Sequence, residues 1–173
     1  CRYKLKSFEE APEIYERLFA VFKAHNIGYF FYNGGGDSQD TIHKISHACE
    51  QLKFPLQCIG IPKTIDNDIA LTDNCPGFGS VAKFIATTTR ECGLDLQSMS
   101  SNSTKVFIFE VIVRHAGWIA ASAALAGNSD ENAPHMILLP EVAFDEQAFL
   151  KEVDRCVAKY GQCVVVASEG IRN

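Results

Sequence analysis

The sequence has seven cysteines, Cys1, Cys49, Cys58, Cys75, Cys92, Cys156 and Cys163, but no C-x-x-C pair. The spacing of a zinc site or a dithiol redox motif is therefore missing. Several of the seven lie in apolar or helical contexts, and they read as free buried thiols in a reducing cytosol. No apolar run approaches the length of a membrane span. No block of like charges occurs, and the net charge of −5 argues against nucleic acid as a partner. The opening CRYKLKSFEE is polar and charged, unlike a signal peptide. It has no initiator methionine, so a piece of a longer protein is expected. The P-loop pattern G-x-x-x-x-G-K-[ST] and the dinucleotide pattern G-x-G-x-x-G are both absent. There is no internal repeat and no low-complexity tract.

What is present is globular. The 173 residues are 47% hydrophobic and 21% charged, enough for one ordinary domain or two small lobes. Helical spacing over 8–25 puts Phe8, Ile14, Leu18, Phe19 and Phe22 on one broad face. Short apolar runs at 27–33, 56–62, 105–113, 135–140 and 163–170 predict strands. Helices are predicted over 38–53, with Ser38 as N-cap, over 77–92, over the small-residue segment 116–126, and over 146–161. Polar 96–104 predicts a loop. Strands that are continuously apolar and alternate with helices point to an α/β fold, with parallel sheets covered by helices on both faces. A lobe boundary is expected near TDNCPG, residues 72–77.

In such folds ligands bind beyond the carboxyl ends of the strands, and the polar clusters fall there. After 27–33 comes NGGGDSQDT. Its glycines suit close backbone approach to an anion, yet Asp37 and Asp40 follow at once. Asp37 reads either as a Mg²⁺ ligand or as a carboxylate favouring the helix dipole. After 56–61 comes PKTIDND. Extended alternation would point Asp66 and Asp68 the same way, as general base and metal anchor, beside the point charge of Lys63. A turn in which Asp and Asn bond their own backbone is the plainer reading. After 105–113, Arg114 can fork to a phosphate. His115 reads as a packed structural histidine, and Trp118 as core. His43 and His47 stand i, i+4 without the intervening Glu of a zincin, and read as a solvated helix face. Glu169, in SEG, reads either as a cleft carboxylate for sugar hydroxyls or as a strand-end surface charge.

Together GGGDS, PKTIDNDI, CPGFGS, EVIVRHAGW and SEG resemble the phosphofructokinase family, in its order and at compatible spacing, over nearly all of the chain after residue 27. The resemblance implies two Rossmann-like lobes, both incomplete: 1–75 as part of a phosphoryl-donor lobe and 76–173 as part of a sugar-phosphate lobe. It implies Mg²⁺-assisted phosphoryl transfer to the 1-hydroxyl of fructose 6-phosphate, a cytoplasmic glycolytic step. Asp66 would be the base. Thr64, Ile65 and Asp68 would frame the acceptor and metal. Gly34, Gly35, Gly36 and Ser38 would form the donor loop, with Asp37 at the metal. Ile112, Val113 and Arg114 match the family's M-G-R segment at the sugar phosphate, and Glu169 the glutamate that holds fructose hydroxyls. Lys105 matches a basic residue that reaches a neighbouring subunit's substrate, which implies a homo-oligomer with a shared active site.

Members that use pyrophosphate resemble this chain at two places where ATP-using members carry glycine: Asp37 and Lys63. A carboxylate where the α-phosphate of ATP would lie repels the nucleotide, and Lys63 can stabilise charge on a donor with no adenosine. Pyrophosphate is the expected donor. An ATP-dependent enzyme and a catalytically silent regulatory subunit are the alternatives, the latter suggested by Gly36 and Val113, where the family has a polar residue and a glycine. The family's N-terminal glycine-rich loop would precede Cys1 and its later sugar-phosphate ligands would follow Asn173, so the isolated piece is expected to be inactive.

Overall fold

The structure is a computed structural model that describes residues 3–172. The chain forms two compact units. The first runs through Thr64 and takes in Ile69–Leu71; the second holds Ile65–Asp68 and the chain from Thr72 onward.

In the first unit, helix α1 (Pro12–Ala24) leads to strand β1 (Tyr29–Gly34), helix α2 (Gly36–Leu52) and strand β2 (Gln57–Pro62). Pro12 starts α1 where its missing N–H costs nothing. The helix starts at Pro12 rather than at residue 8, so Phe8 lies in the turn before it; the rest of the predicted face holds, with Phe19 and Phe22 buried with Tyr15, Ile45, Ala48, Cys49 and Leu56, and Ile14, Leu18 and Phe8 packed against them. Strands β1 and β2 pair in parallel, from Tyr29 opposite Gln57 to Gly34 opposite Pro62. Phe30 and Cys58 point into the core. On the other face Tyr29, Phe31, Ile59 and Ile61 are exposed.

The second unit holds helix α3 (Phe78–Met99), strand β3 (Val106–Val111), the short helix α4 (Trp118–Ser122) with a 3-10 turn over Ala123–Ala126, strand β4 (Met136–Leu138), helix α5 (Glu146–Tyr160) and strand β5 (Cys163–Ser168). Its parallel sheet has the order β3-β5-β4. Central β5 is buried along its whole length, as a continuous apolar run in a parallel sheet should be. Ile85, Val111, Val113, Ala116, Ile119, Ala120, Ala123 and Val166 form the main core. Asp145 caps α5 by accepting from the Ala148 N–H at 3.0 Å.

Several local expectations change. Helix α3 continues through the expected loop at 96 because Leu96 (2% exposed) keeps the buried phase of Thr89 and Gly93. Ser38 does not cap α2. The helix begins at Gly36 and Gly35 is its N-cap, whose carbonyl accepts from the N–H groups of Ser38 and Gln39, each at 3.0 Å. Trp118 and His115 are exposed rather than packed, since the α4 face that meets the core is carried by Ile119, Ala120 and Ser122. His43 and His47 are exposed on α2, as expected. The described cysteines are free thiols, four of them buried.

Candidate functional site

In the first unit the carboxyl ends of β1 and β2 lie side by side, which brings the glycine loop next to Lys63. The Lys63 N–H donates to the Gly34 carbonyl at 2.9 Å, and the Gln39 side-chain amide donates to the same oxygen at 3.0 Å. A Cβ at Gly35 would stand 3.6 Å from the Lys63 carbonyl and 3.7 Å from Thr64 Cβ, so the loop lies against the exit of β2. Thr64 is buried and Lys63 is exposed. Asp37 sits in the first turn of α2 with its side chain 76% exposed, and Lys4 Nζ approaches its Oδ1 at 3.3 Å. The dipole of α2 thus adds positive potential at a loop whose own carboxylate is negative. Gly36 faces open space: nothing lies within 4 Å of a Cβ built there.

The second unit holds the loop Ile65–Asp68. It is not extended. Residues 65–66 form a turn and Asn67 adopts a left-handed φ of 56°, so the alternation that would align Asp66 with Asp68 is broken. Asn67 is buried: its Oδ1 accepts from the Cys75 N–H at 2.8 Å and its Nδ2 donates to the Asp73 carbonyl at 3.4 Å. The middle residue anchors the loop, while Asp66 is half-buried and Asp68 exposed. Ile65 packs against the core and touches the space above Gly77.

The same unit gathers Val113, Arg114 and Glu169. Val111 pairs with Ser168, so the exits of β3 and β5 are neighbours. The Val113 N–H donates to Glu169 Oε1 at 3.0 Å, and the Ser168 hydroxyl donates to the Val113 carbonyl at 2.6 Å. Ser168 Oγ in turn accepts from the Gly170 N–H at 3.2 Å. Arg114 Nε stands 3.7 Å from Glu169 Oε2, with the guanidinium side chain 68% exposed and the carboxylate 32%. Gly170 has no room for a side chain, because a Cβ would overlap the Arg114 carbonyl. Val113 holds a φ of 89°, a glycine-like conformation. Ile112 is exposed beside it. Lys105 is exposed and precedes β3, so it stands at the opposite end of that strand from Arg114, roughly 20 Å away at strand rise.

Sequence reasoning missed Lys4, Ser168 and the anchoring role of Asn67. The side-chain contact of Lys4 has no local signal. Ser168 and Asn67 lie inside motifs but look there like spacers between charged residues. Among the described residues no three His, Cys, Asp or Glu side chains converge as a metal cage. Asp37 is the exposed carboxylate beside the glycine loop; a cation there would share it with the Lys4 ammonium and would take its other ligands from phosphate oxygens and water.

The chain belongs to the phosphofructokinase family, which it matches over residues 2–173. It is 57% identical over 173 residues to a pyrophosphate–fructose 6-phosphate 1-phosphotransferase of Xanthomonas campestris pv. campestris (strain B100), covering 100% of this chain and 41% of that one. The crystal structure of a pyrophosphate-dependent phosphofructokinase from Marinobacter aquaeolei is 59% identical, with a TM-score of 0.86 over 99% of this chain and 42% of that one. Another from Nitrosospira multiformis is 55% identical, with a TM-score of 0.88 over 100% of this chain and 42% of that one. The chain spans about 41% of the length of the curated relatives it matches.

Proposed function

We propose that the full-length protein transfers a phosphoryl group from pyrophosphate to the 1-hydroxyl of fructose 6-phosphate, giving fructose 1,6-bisphosphate in glycolysis. The observation that carries this reading is Asp37, an exposed carboxylate directly behind the glycine loop and in the first turn of α2, with Lys63 at the adjoining exit of β2. A nucleotide would bring a third phosphate and an adenosine to that carboxylate; an inorganic donor would not. The names of the relatives above support the same donor.

Residues 1–75 are then part of the donor lobe and 76–173 part of the sugar-phosphate lobe, each incomplete. Gly34, Gly35, Gly36 and Ser38 form the loop that receives the donor at the N-terminus of α2, Ser38 through its hydroxyl because its N–H is bonded to the Gly35 carbonyl, and Lys63 neutralises charge on the donor. Asp37 would hold Mg²⁺, which when bound supplies charge neutralisation at the phosphoryl oxygens. Asp66 takes the proton of the acceptor hydroxyl, help that is typically worth about 10²–10⁴-fold, and Thr64, Ile65 and Asp68 frame it. Glu169 fixes the turn at Val113 through one oxygen and has the other beside Arg114, so sugar hydroxyls and sugar phosphate meet a pre-set pair. Exposed Lys105, far along β3 from Arg114, suits a role toward a neighbouring subunit's substrate in a homo-oligomer. The free thiols support a reducing, cytoplasmic location.

Val113 favours this reading over a silent subunit. It departs from the family's glycine in side chain but keeps a backbone that glycine would adopt. The test is fructose 1,6-bisphosphate formation by the full-length protein with each donor. Turnover with ATP and none with pyrophosphate would overturn the proposal. Asp37→Gly should admit ATP and produce measurable ATP-driven turnover; unchanged exclusion of ATP would refute the repulsion argument.

A further inference from the structure

A carboxylate in a phosphate loop needs a counter-charge, and the first unit supplies one from a distant part of the chain. Residues 4–8 run as a strap along α2. The Lys44 ammonium donates to the Leu5 carbonyl at 3.0 Å, and the Tyr15 hydroxyl donates to the Lys6 carbonyl at 2.6 Å. Tyr15 is fully buried, and Leu5 and Phe8 pack on the core around it. The Phe8 and Tyr15 rings meet edge to face at 5.6 Å. Thus pinned, the strap carries Lys4 to 3.3 Å from Asp37. Lys44 also pairs with Asp40 at 2.6 Å, so each carboxylate of GGGDSQD faces a lysine.

Both members of the Lys4–Asp37 pair are 76% exposed, and such pairs add little to stability. The consequence is local. Asp37 alone would oppose an anion at the glycine loop. Lys4 meets Oδ1 and offsets part of that charge, the exposed remainder of the carboxylate still opposes a longer polyphosphate, and Lys63 adds a positive charge at the loop. An ammonium has three N–H donors, more than its ion pair with Asp37 can occupy.

We propose that Lys4 is a donor-specificity residue: it offsets Asp37 and offers its remaining N–H groups to a phosphate oxygen of pyrophosphate bound at Gly34–Gly36. The inference rests on the proposed function, since it names a further contact to the same donor. It explains how one loop can both refuse a nucleotide and accept a small dianionic or more highly charged phosphate.

The experiment uses the full-length enzyme and steady-state kinetics with Lys4→Met, which keeps the stem and removes the charge. KM for pyrophosphate should rise roughly tenfold, the loss of one charge-assisted contact. KM for fructose 6-phosphate and the melting temperature should stay unchanged. Lys4→Arg should restore most of the loss. In an Asp37→Asn background Lys4→Met should cost less, because no uncompensated carboxylate remains. A pyrophosphate KM within twofold of the parent, an equal rise in both KM values, no rescue by arginine, or an undiminished cost in the Asp37→Asn background would each overturn the proposal. Absence of pyrophosphate turnover in the parent enzyme would instead remove the proposed function, so the two failures are distinguishable.

Discussion

Val113 is a β-branched residue at φ 89°, buried to 8% exposure, in the turn that presents Arg114. A side chain in that conformation typically stores about 1–3 kcal/mol. Two contacts hold it there: its N–H on Glu169 and its carbonyl on Ser168. Replacing it by alanine removes packing and keeps the strain; replacing it by glycine removes more packing but ends the strain. Val113→Gly should therefore be more stable than Val113→Ala by about 1 kcal/mol, reversing the order seen in regular elements. Urea unfolding of both variants checks this, and a more stable alanine variant would refute the strained turn. Sequence comparison alone marked Val113 as out of place. It could not say whether the backbone had adjusted to valine or valine had been forced onto the backbone. The answer depends on Ser168 and Glu169, more than fifty positions away.

At the scale of elements, the strands were legible because a buried parallel strand writes itself as a continuous apolar run, as in Cys163–Ser168. Errors came where polarity and position disagree. The last turn of α3 carries Gln97 and Ser98 on its solvent side and looks like a loop, while Leu96 alone keeps the helical phase on the core. The Asp66–Asp68 pair fails alternation because a buried asparagine between them bends the chain left-handed. At the start of β4 a histidine does work that a strand pattern cannot reveal. The Val164 N–H donates to His135 Nδ1 at 3.0 Å, and the His135 backbone N–H donates to the Val164 carbonyl at 2.8 Å. The first of these contacts needs a neutral ring. Burial, with help from the charge of Arg155, pushes the His135 pKa below its ordinary 6.5. The unfolded chain binds the proton more readily, so this group's stabilisation is complete above about pH 6.5 and is lost as pH falls through the folded-state value. Urea midpoints should drop from pH 7.5 to 5.5, and less so in His135→Gln, whose side chain cannot take the proton. Equal drops in both proteins would refute the assignment.

At the scale of the whole molecule, the first unit leaves Tyr29, Phe31, Ile59 and Ile61 exposed on one face of a two-stranded parallel sheet. Sheets of this kind are ordinarily covered on both faces. The chain spans about 41% of the length of its curated relatives, which fits a face that meets further protein in the full-length enzyme. A contiguous apolar patch left open to water binds hydrophobic dyes and promotes association. The isolated 173 residues should therefore enhance anilinonaphthalene sulfonate fluorescence severalfold over an equal molar amount of the full-length enzyme, while retaining its helix and strand content by circular dichroism. They should show no pyrophosphate-driven turnover. Substituting Phe31 and Ile59 by threonine should lower dye binding to the isolated chain, because these two are paired neighbours at the centre of that face. In the full-length enzyme the same pair of changes should lower the melting temperature instead, since there it would replace buried apolar contacts. Dye binding by the isolated chain that ignores the substitutions would place the apolar surface elsewhere; an unchanged melting temperature in the full-length enzyme would mean that the face stays open.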